Sequence, residues 1–328
     1  SCPGSRRHRA CGSRLLEGQS EVGAHLVAED RQSGPSEMEF ASRSLRSTVV
    51  AIEGGKVTSL NASENAIGDH GAERVALALA GNRALVALHL SDNGIRDAGA
   101  ELIAEALEGN CTLTALHLSR NSIGPHGAAK LAAVLASGAL AELDLSDNRL
   151  GDAGAVALAG ALEPTARLET LDLRVNSVGD EGAESLALVL ARNAALTALH
   201  LRDNCIGDAG AERIAEALQD NTHLTTLDLS YNHRLSRKGA QRMIAALEAS
   251  FSLMTLHLRH NKSDPEDEAR LQAALKDRRR VRVLTVWYPA VADAPTSVGG
   301  PAVVCTNMAG EQVAALEADP PGGPAALH

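Results

Sequence analysis

The chain has 328 residues, of which 45% are hydrophobic and 22% are charged, so it carries enough apolar material for a sizeable core. Its formal net charge of -10 argues against sequence-independent nucleic-acid binding, which needs Lys and Arg to neutralise phosphates. No apolar stretch approaches the length of a membrane span, and an aromatic content of 2% limits the number of aromatic anchors on any binding surface.

The first part of the chain predicts a leader and a capping helix. Residues 1–35 mix Arg with Gly, Ser and Pro without sustained periodicity, which predicts a disordered leader; a targeting element is the alternative for its basic cluster. Within 36–56, the spacing of Leu45, Val49 and Ile52 predicts an amphipathic helix that ends at a Gly-Gly pair. Such a helix can cover the open end of a repeat array.

A segment of 28 residues is repeated along most of the chain, and its clearest copy is LTALHLRDNCIGDAGAERIAEALQDNTH at 196–223. The spacing of Leu196, Leu199 and Leu201 puts the last two on one side of a short strand. An Asn follows three residues later, where the chain must turn and where a buried amide can satisfy both N–H and C=O groups of the backbone. This structural Asn recurs at intervals of 27 to 29 residues: Asn65, Asn93, Asn121, Asn148, Asn176, Asn204, Asn232 and Asn261.

The second half of each copy predicts a helix. Ala211, Ile214 and Leu218 fall at i, i+3 and i+7, which puts them on one buried face. Asp208 and its counterparts stand where each can cap the helix of its own copy. Gly210 and its counterparts are expected to let the helix approach the strand layer closely.

One copy cannot bury its apolar stripe alone, whereas stacked copies place like strands side by side around a continuous core. The repetition therefore predicts an α/β solenoid of eight coils, which open at Val57, Leu85, Leu113, Leu140, Leu168, Leu196, Leu224 and Leu253.

Beyond the last Asn the pattern diverges. Asp264 before Pro265 predicts a helix to about Lys276. Residues 281–287, VRVLTVW, restore the strand spacing and predict a ninth, terminal strand, so that the solenoid spans 57–288. Residues 289–328 hold six of the eleven prolines and predict a flexible Pro/Gly-rich tail.

This coil pattern resembles the ribonuclease-inhibitor-like leucine-rich repeats, which also occur in NACHT-containing innate immune receptors and in Ran GTPase-activating proteins. The resemblance covers about residues 57–287. It implies a right-handed horseshoe with the parallel sheet on the concave side and the helices on the convex side. It also implies that other proteins bind to the concave sheet.

In-register stacking predicts a row of side chains at the middle outward position of the strands: Asn61, His89, His117, Asp144, Asp172, His200, Asp228 and His257. His and Asp are zinc ligands, so a metal site at His200, Asp228 and His257 is one interpretation. The positions diverge on a curved sheet and no supporting partners are evident. We therefore predict a solvated His/Asp ladder and no metal.

The next outward row brings Arg174 and Arg202 onto adjacent strands, where two like charges indicate an anionic contact; pairing of these arginines with Asp172 and Asp203 is the alternative. Arg and Tyr are common interface anchors. The predicted partner-binding residues are Arg174, Arg202, Asp203, His200, Tyr231, His257, Arg259 and His260.

No catalytic motif survives its spacing test, and outward side chains on an open sheet lack water exclusion, so we predict no enzyme activity and no cofactor. Five cysteines without a CxxC pair suit reduced thiols and a cytoplasmic location. We predict a monomeric interaction scaffold whose partner is another protein, with no membrane and no nucleic acid bound. The alternatives are a GTPase-activating protein of the Ran-regulator type and a ligand-sensing fragment of an innate immune receptor.

Overall fold

The computed structural model describes residues 39–41, 44–137, 139–162, 167–262, 264–278, 282–283, 302–306 and 312–317. The leader predicted at 1–35 lies outside these residues. The chain divides into two compact units, residues 1–264 and 265–328. None of the described helices is long and apolar enough to cross a membrane.

In the described part of the first unit, strands and helices alternate. The strands are β1 (Glu39–Ala41), β2 (Ser59–Asn61), β3 (Ala87–His89), β4 (Ala115–His117), β5 (Glu142–Asp144), β6 (Thr170–Asp172), β7 (Ala198–His200), β8 (Thr226–Asp228) and β9 (Thr255–His257). The helices are α1 (Leu45–Glu53), α2 (Gly68–Leu79), α3 (Asp97–Leu107), α4 (Pro125–Ser137), α5 (Gly151–Ala161), α6 (Asp180–Leu190), α7 (Asp208–Asp220) and α8 (Arg237–Ala249).

The nine strands form one open parallel sheet in chain order, and β2 to β9 belong to coils 1 to 8. Their register is one-to-one, so that Leu199 lies opposite Leu171 on one side and Leu227 on the other. The predicted α/β solenoid with a parallel sheet is therefore confirmed. Leu199 of β7, Leu201 just after that strand and Ile214 of α7 are buried, and burying one such side chain contributes about 2 kcal/mol.

The Asn of each coil joins its turn to the preceding coil. The Asn204 Nδ2 donates to the Leu201 carbonyl of its own coil at 3.0 Å and to the Leu173 carbonyl of the preceding coil at 2.9 Å. Its Oδ1 accepts from the backbone N–H groups of Asn176 and Val178 at 3.1 and 2.9 Å. One buried amide thus satisfies backbone groups that have no strand partner.

The residue before each Asn adopts a left-handed backbone, with φ between 53° and 60°, although none of these residues is Gly. They are Glu64, Asp92, Arg120, Asp147, Val175, Asp203, Tyr231 and His260. The left-handed residue turns the chain from the strand into the Asn turn. We call these eight positions the left-handed row.

The aspartates predicted to cap their own helices cap the next helix instead, so that prediction was wrong. The Asp97 Oδ1 accepts from the N–H groups of Gly124 and Gly127 in the following coil, at 2.6 and 2.9 Å. Asp69, Asp152, Asp180 and Asp208 do the same for α3, α6, α7 and α8. The spacing alone shows an acid in the first turn but cannot show which helix its carboxylate reaches.

The helix glycines make room for this carboxylate. A Cβ added at Gly127 would stand 2.8 Å from the Asp97 Oδ1, 2.8 Å from Ile123 and 3.1 Å from the Ala100 Cβ of the preceding coil. The close approach is therefore to the preceding helix and to a side chain of the same coil. The sequence predicted that these glycines let the helix approach the strand layer. The contacts at Gly127 show that they also make room for the preceding coil.

Where the preceding coil supplies no aspartate, the helix begins differently. Pro125 stands at the Asp position of coil 3, so coil 4 receives no carboxylate from it. There α5 begins at Gly151 with φ 57°, and the Gly151 N–H bonds to the Asn176 carbonyl at 2.9 Å. The helix of coil 1, α2, begins in the same way at Gly68.

Asparagines also close the helix-to-strand loops of several coils, a feature that the sequence analysis missed. The Asn221 Nδ2 donates to the Leu190 carbonyl of the preceding coil at 2.7 Å, while its Oδ1 accepts from the Leu224 N–H at 2.7 Å. Asn82 and Asn193 make equivalent bonds, and the Asn110 Nδ2 donates to the Asn82 carbonyl at 3.3 Å while its Oδ1 accepts from the Leu113 N–H at 2.9 Å. Asn82 and Asn110 stand 28 residues apart, as do Asn193 and Asn221, so the repeat period contained the signal.

Coil 7 is one residue longer than the usual 28, since Asn232 and Asn261 are 29 residues apart, and the Asn turn beside it differs from the others. The Leu235 N–H bonds within its own turn to the Asn232 carbonyl at 2.8 Å. The Asn261 Oδ1 is buried and has no hydrogen-bond partner among the described residues, in contrast with the Oδ1 of Asn204. The one-residue insertion at 233–234 shifts the donors away from that oxygen.

The second unit contains α9 (Pro265–Arg278), as predicted, and the strands β10 (Arg282–Val283), β11 (Ala302–Thr306) and β12 (Gln312–Glu317) in an antiparallel sheet. Of the terminal strand predicted at 281–287, the described residues 282–283 pair with β11 and not with β9, and the ninth strand of the parallel sheet is β1. Alternating apolar residues specify a strand without specifying its partner. Two stretches of the predicted flexible tail are the strands β11 and β12.

The cysteines differ from expectation at one position. Cys111 is a free, exposed thiol, whereas Cys205 is disulfide-bonded. The expectation of reduced thiols is therefore wrong at Cys205, because an odd count and the absence of a CxxC pair say nothing about which sulfurs meet in space.

Candidate functional site

The sheet surface opposite the helices carries the predicted site. Two parts of it differ, and we name them by their coils. The middle face comprises the outward side chains of coils 3 to 5: His117, Arg120, Glu142, Asp144, Asp147, Asp172 and Arg174. The C-terminal face comprises those of coils 6 to 8: His200, Arg202, Asp203, Asp228, Tyr231, His257, Arg259 and His260.

On the middle face, cations and carboxylates of neighbouring residues contact one another. The Arg174 Nε lies 2.9 and 2.8 Å from the two carboxylate oxygens of Asp172, which is only 7% exposed. The Arg120 Nε lies 3.9 Å from the Asp147 Oδ2. The charges of this surface are therefore largely engaged with one another.

His117 is the centre of the other contacts on the middle face. Its Nδ1 lies 3.8 Å from the Asp144 Oδ2 and its Nε2 lies 3.7 Å from the Glu142 Oε1, while its ring stacks on the His89 ring at 4.2 Å. At these distances the carboxylate contacts are ion pairs and not hydrogen bonds. They favour the protonated imidazole.

These contacts shift both pKa values in the expected directions. Contact with Asp144 raises the pKa of His117, and this outweighs the burial that favours the neutral ring. Burial alone would raise the pKa of Asp144, but His117 and the hydroxyl and N–H of Ser146 lower it to about 2. The pair is charged over the range in which the imidazole holds its proton.

On the C-terminal face, rings and a guanidinium stack across three coils. The guanidinium carbon of Arg202 lies 4.5 Å from the centroid of the Tyr231 ring. The His260 ring stacks on the same Tyr231 ring, with centroids 4.1 Å apart and planes inclined by 28°. His233 approaches the Tyr231 ring edge-on at 6.3 Å. The stack holds one side chain from each of coils 6, 7 and 8.

The sequence supports this stack through the backbone. Tyr231 and His260 belong to the left-handed row, with φ of 60° at each. Arg202 lies one position earlier in its coil, just before Asp203 of that row. In-register parallel strands repeat at about 4.8 Å, which leaves room for successive flat groups to lie against one another.

Comparison with protein-family models finds six matches, each described as a leucine-rich repeat, at residues 81–104, 109–132, 140–159, 168–187, 192–215 and 220–243. The matched segments carry the leucine-rich repeat pattern. No curated protein matches the chain. Among solved structures 132 chains match it. One is described as Leiomodin-1 Actin-Binding Site 2; it is 22% identical, with a TM-score of 0.35, and the match covers 37% of this chain and 70% of that one.

Within the leucine-rich repeats, the structure separates the predicted binding residues into groups. Arg202, Tyr231 and His260 come together in the stack. Arg174 pairs with Asp172, which is the alternative expected for it, whereas Arg202 stacks on Tyr231 and makes no ion pair with Asp203. The stack itself was not predicted; the signal for it was the recurrence of Tyr231 and His260 directly before the Asn of their repeats.

His200, Asp228 and His257 lie opposite one another in register on β7, β8 and β9. The Asp228 Oδ1 accepts the backbone N–H of Ser230 at 2.9 Å. Within the described ranges, no group of three or more His, Cys, Asp and Glu side chains has a geometry that could hold a metal ion. The three side chains form a row across these strands because the register is one-to-one.

Proposed function

We propose that this chain is a non-enzymatic protein-interaction scaffold whose partner binds the C-terminal face. The observation that carries the proposal is the stack of Arg202, Tyr231 and His260. Arg and Tyr supply much of the binding energy in protein interfaces. Binding normally costs the conformational entropy of such long side chains, and a stack that already restricts them lowers this cost.

The backbone beneath the stack is suited to this role. Asn204 and Asn232 hydrogen-bond the turns of coils 6 and 7 to the carbonyls of the coils before them. The side chains above them stand on an open sheet surface, which favours contact with a second protein. Such a surface does not exclude water from a small substrate, so it favours binding over catalysis.

We further propose that the repeats belong to the ribonuclease-inhibitor-like class, because a period of about 28 residues with a helix in each coil supports that assignment. The GTPase-activating and receptor-fragment alternatives stay predictions. No feature of the described residues favours either of them over the scaffold.

The test compares proteins captured by the full chain and by two variants. The site variant carries Arg202→Ala, Tyr231→Asn and His260→Asn, because Asn tolerates the left-handed backbone at the last two positions. The control carries Arg120→Asn and Val175→Asn, two positions of the left-handed row in coils 3 and 5.

We expect quantitative mass spectrometry of cross-linked partners to show at least about a tenfold loss for the site variant, as removal of an Arg and a Tyr anchor together predicts. The control should capture the same proteins as the unmodified chain. Urea unfolding of all three proteins checks that the solenoid is intact. Equal capture by the site variant and the unmodified chain would place the interface elsewhere and refute the proposal.

A further inference from the structure

The stack leaves its hydrogen-bond donors at its edges. The guanidinium carbon of Arg202 lies over the Tyr231 ring, 4.5 Å from its centroid, and the five N–H groups of a guanidinium radiate outward in its plane. The Tyr231 hydroxyl and the ring nitrogens of His260 are also edge groups of flat side chains. A planar, fixed fork of N–H donors matches the two oxygens of a carboxylate.

The surroundings of the stack hold further positive charge that is not engaged. Arg259 lies in the same outward row as Arg202, two coils away, with Ser230 between them. Neither arginine makes an ion pair with any described residue, whereas Arg120 and Arg174 of the middle face both do. The C-terminal face thus has cations available to a partner.

Two carboxylates stand among these cations and have different roles. Asp228 accepts a backbone hydrogen bond from Ser230, so part of its charge is used within the fold. Asp203 makes no ion pair with a described residue and lies beside Tyr231 in the left-handed row. Asp203 therefore opposes an incoming anion and limits its affinity.

We infer that the C-terminal face binds a short acidic segment of its partner protein, with one carboxylate received by Arg202 at the stack and a second by Arg259. This inference rests on the proposed function and names the partner's chemistry. Two strand spacings separate the two arginines, about 10 Å, which is the distance between side chains about three residues apart in an extended chain.

The middle face limits how long the acidic segment can be. Glu142, Asp144, Asp147 and Asp172 lie beyond coil 6 and repel a long polyanion that would continue along the sheet. A net charge of -10 opposes nucleic acid and anionic membranes in the same way. A short acidic cluster within a protein fits both the available cations and this limit.

The experiment measures fluorescence anisotropy of a labelled oligo-glutamate peptide with the full chain at about 0.15 M ionic strength, where the Debye length is about 8 Å, beside oligo-lysine and single-stranded DNA. We expect oligo-glutamate to bind and the other two not to bind. Arg202→Gln should weaken binding by about tenfold, the size expected for losing one charge-assisted bidentate contact. Arg202→Lys keeps the charge without the planar fork and should weaken it by about threefold.

Two single changes of charge serve as matched controls. Arg120→Gln makes the same change in net charge on the middle face and should alter the affinity by less than about twofold, since charges more than a Debye length away are screened. Asp203→Asn should strengthen binding by about threefold because it removes the opposing carboxylate.

Equal weakening by Arg120→Gln and Arg202→Gln would show unspecific charge attraction and overturn the inference. So would stronger binding of DNA or oligo-lysine than of oligo-glutamate, or no binding of oligo-glutamate at all. The proposed function is judged separately, because partner capture that depends on Arg202, Tyr231 and His260 would stand even if the acidic peptide failed. If the site variant captured the same proteins as the unmodified chain, both the proposed function and the inference about an acidic segment would be refuted.

Discussion

The two parts of the sheet surface use similar residue types in opposite ways. On the middle face, Arg174 and His117 are held by carboxylates of their own chain, at Asp172 and Asp144. On the C-terminal face, Arg202 lies on a ring, and its charge is left to the solvent side. The difference shows that residue type alone does not tell which charged groups are available to a partner, because this depends on what each group already contacts.

The largest effect is expected from releasing Arg174. Asp172→Asn removes the negative charge from a nearly buried position and leaves the guanidinium without its ion pair, although Arg174 itself is half exposed. We expect urea unfolding to show a loss of about 1–2 kcal/mol. The freed Arg174 should also strengthen oligo-glutamate binding, because coil 5 then offers an arginine without an ion pair, as coils 6 and 8 do.

Asp203→Asn is the matched control for this change, because Asp203 makes no ion pair with a described residue. Its unfolding free energy should stay within about 0.5 kcal/mol of the unmodified chain, the usual range for surface substitutions. If Asp172→Asn proved as harmless as Asp203→Asn, the pairing on the middle face would have no energetic weight.

A smaller effect is expected from the pH dependence of the His117 contacts. The folded state raises the pKa of His117, so this stabilisation is complete below the ordinary histidine pKa and is lost as the pH rises through the raised value. The folded state lowers the pKa of Asp144 to about 2, so its stabilisation is present above about pH 4 and is lost as the pH falls towards 2.

The stabilisation from both groups is therefore greatest between about pH 4 and 6.5. We expect His117→Gln to cost about 1 kcal/mol more at pH 5.5 than at pH 8.5 in urea unfolding. His200→Gln on the C-terminal face is the control, since His200 has no carboxylate within ion-pair distance among the described residues. An equal pH dependence for the two variants would contradict the role given to Asp144.

The smallest effect on stability is expected at Tyr231. Tyr231→Asn loses a ring contact worth about 0.5–1 kcal/mol but places a residue that tolerates φ 60°, so the net change should be within about 0.5 kcal/mol. Val175→Asn replaces a β-branched residue at φ 55° and should be neutral or slightly stabilising.

The two variants should differ in binding although they resemble each other in stability. Tyr231→Asn should weaken oligo-glutamate binding because Arg202 loses the ring that fixes it, while Val175→Asn should leave it unchanged. The anisotropy assay measures both. Similar affinities for the two variants would mean that the ring of Tyr231 does not position Arg202.

Much of the fold could be predicted from the sequence because its rules are local and repeat. The spacing of Leu196, Leu199 and Leu201 specifies a strand and its buried side, and 28-residue copies leave one sensible way to stack. The terminal strand predicted at 281–287 shows that partner choice is not local: its described residues, Arg282 and Val283, pair with β11.

The candidate site was predictable as a surface but not as a set of contacts. The register predicted Arg174 and Arg202 in adjacent coils, but their contacts depend on side-chain directions. Arg174 pairs with Asp172, whereas Arg202 lies over the Tyr231 ring. The pattern also showed an aspartate in each first turn without showing that its carboxylate reaches the next helix. Contacts between coils cannot be predicted from the repeat period, because the period shows which residues are equivalent and not which ones touch.

The aspartates and the turn asparagines support neighbours in opposite directions along the array. Asp97 serves the coil that follows it, whereas Asn204 serves the coil that precedes it. Cutting the array between two coils therefore damages both fragments, one at a helix start and the other at a strand exit. A single coil is not an interchangeable module: grafting one into another array succeeds only if both flanking coils bring the groups it depends on.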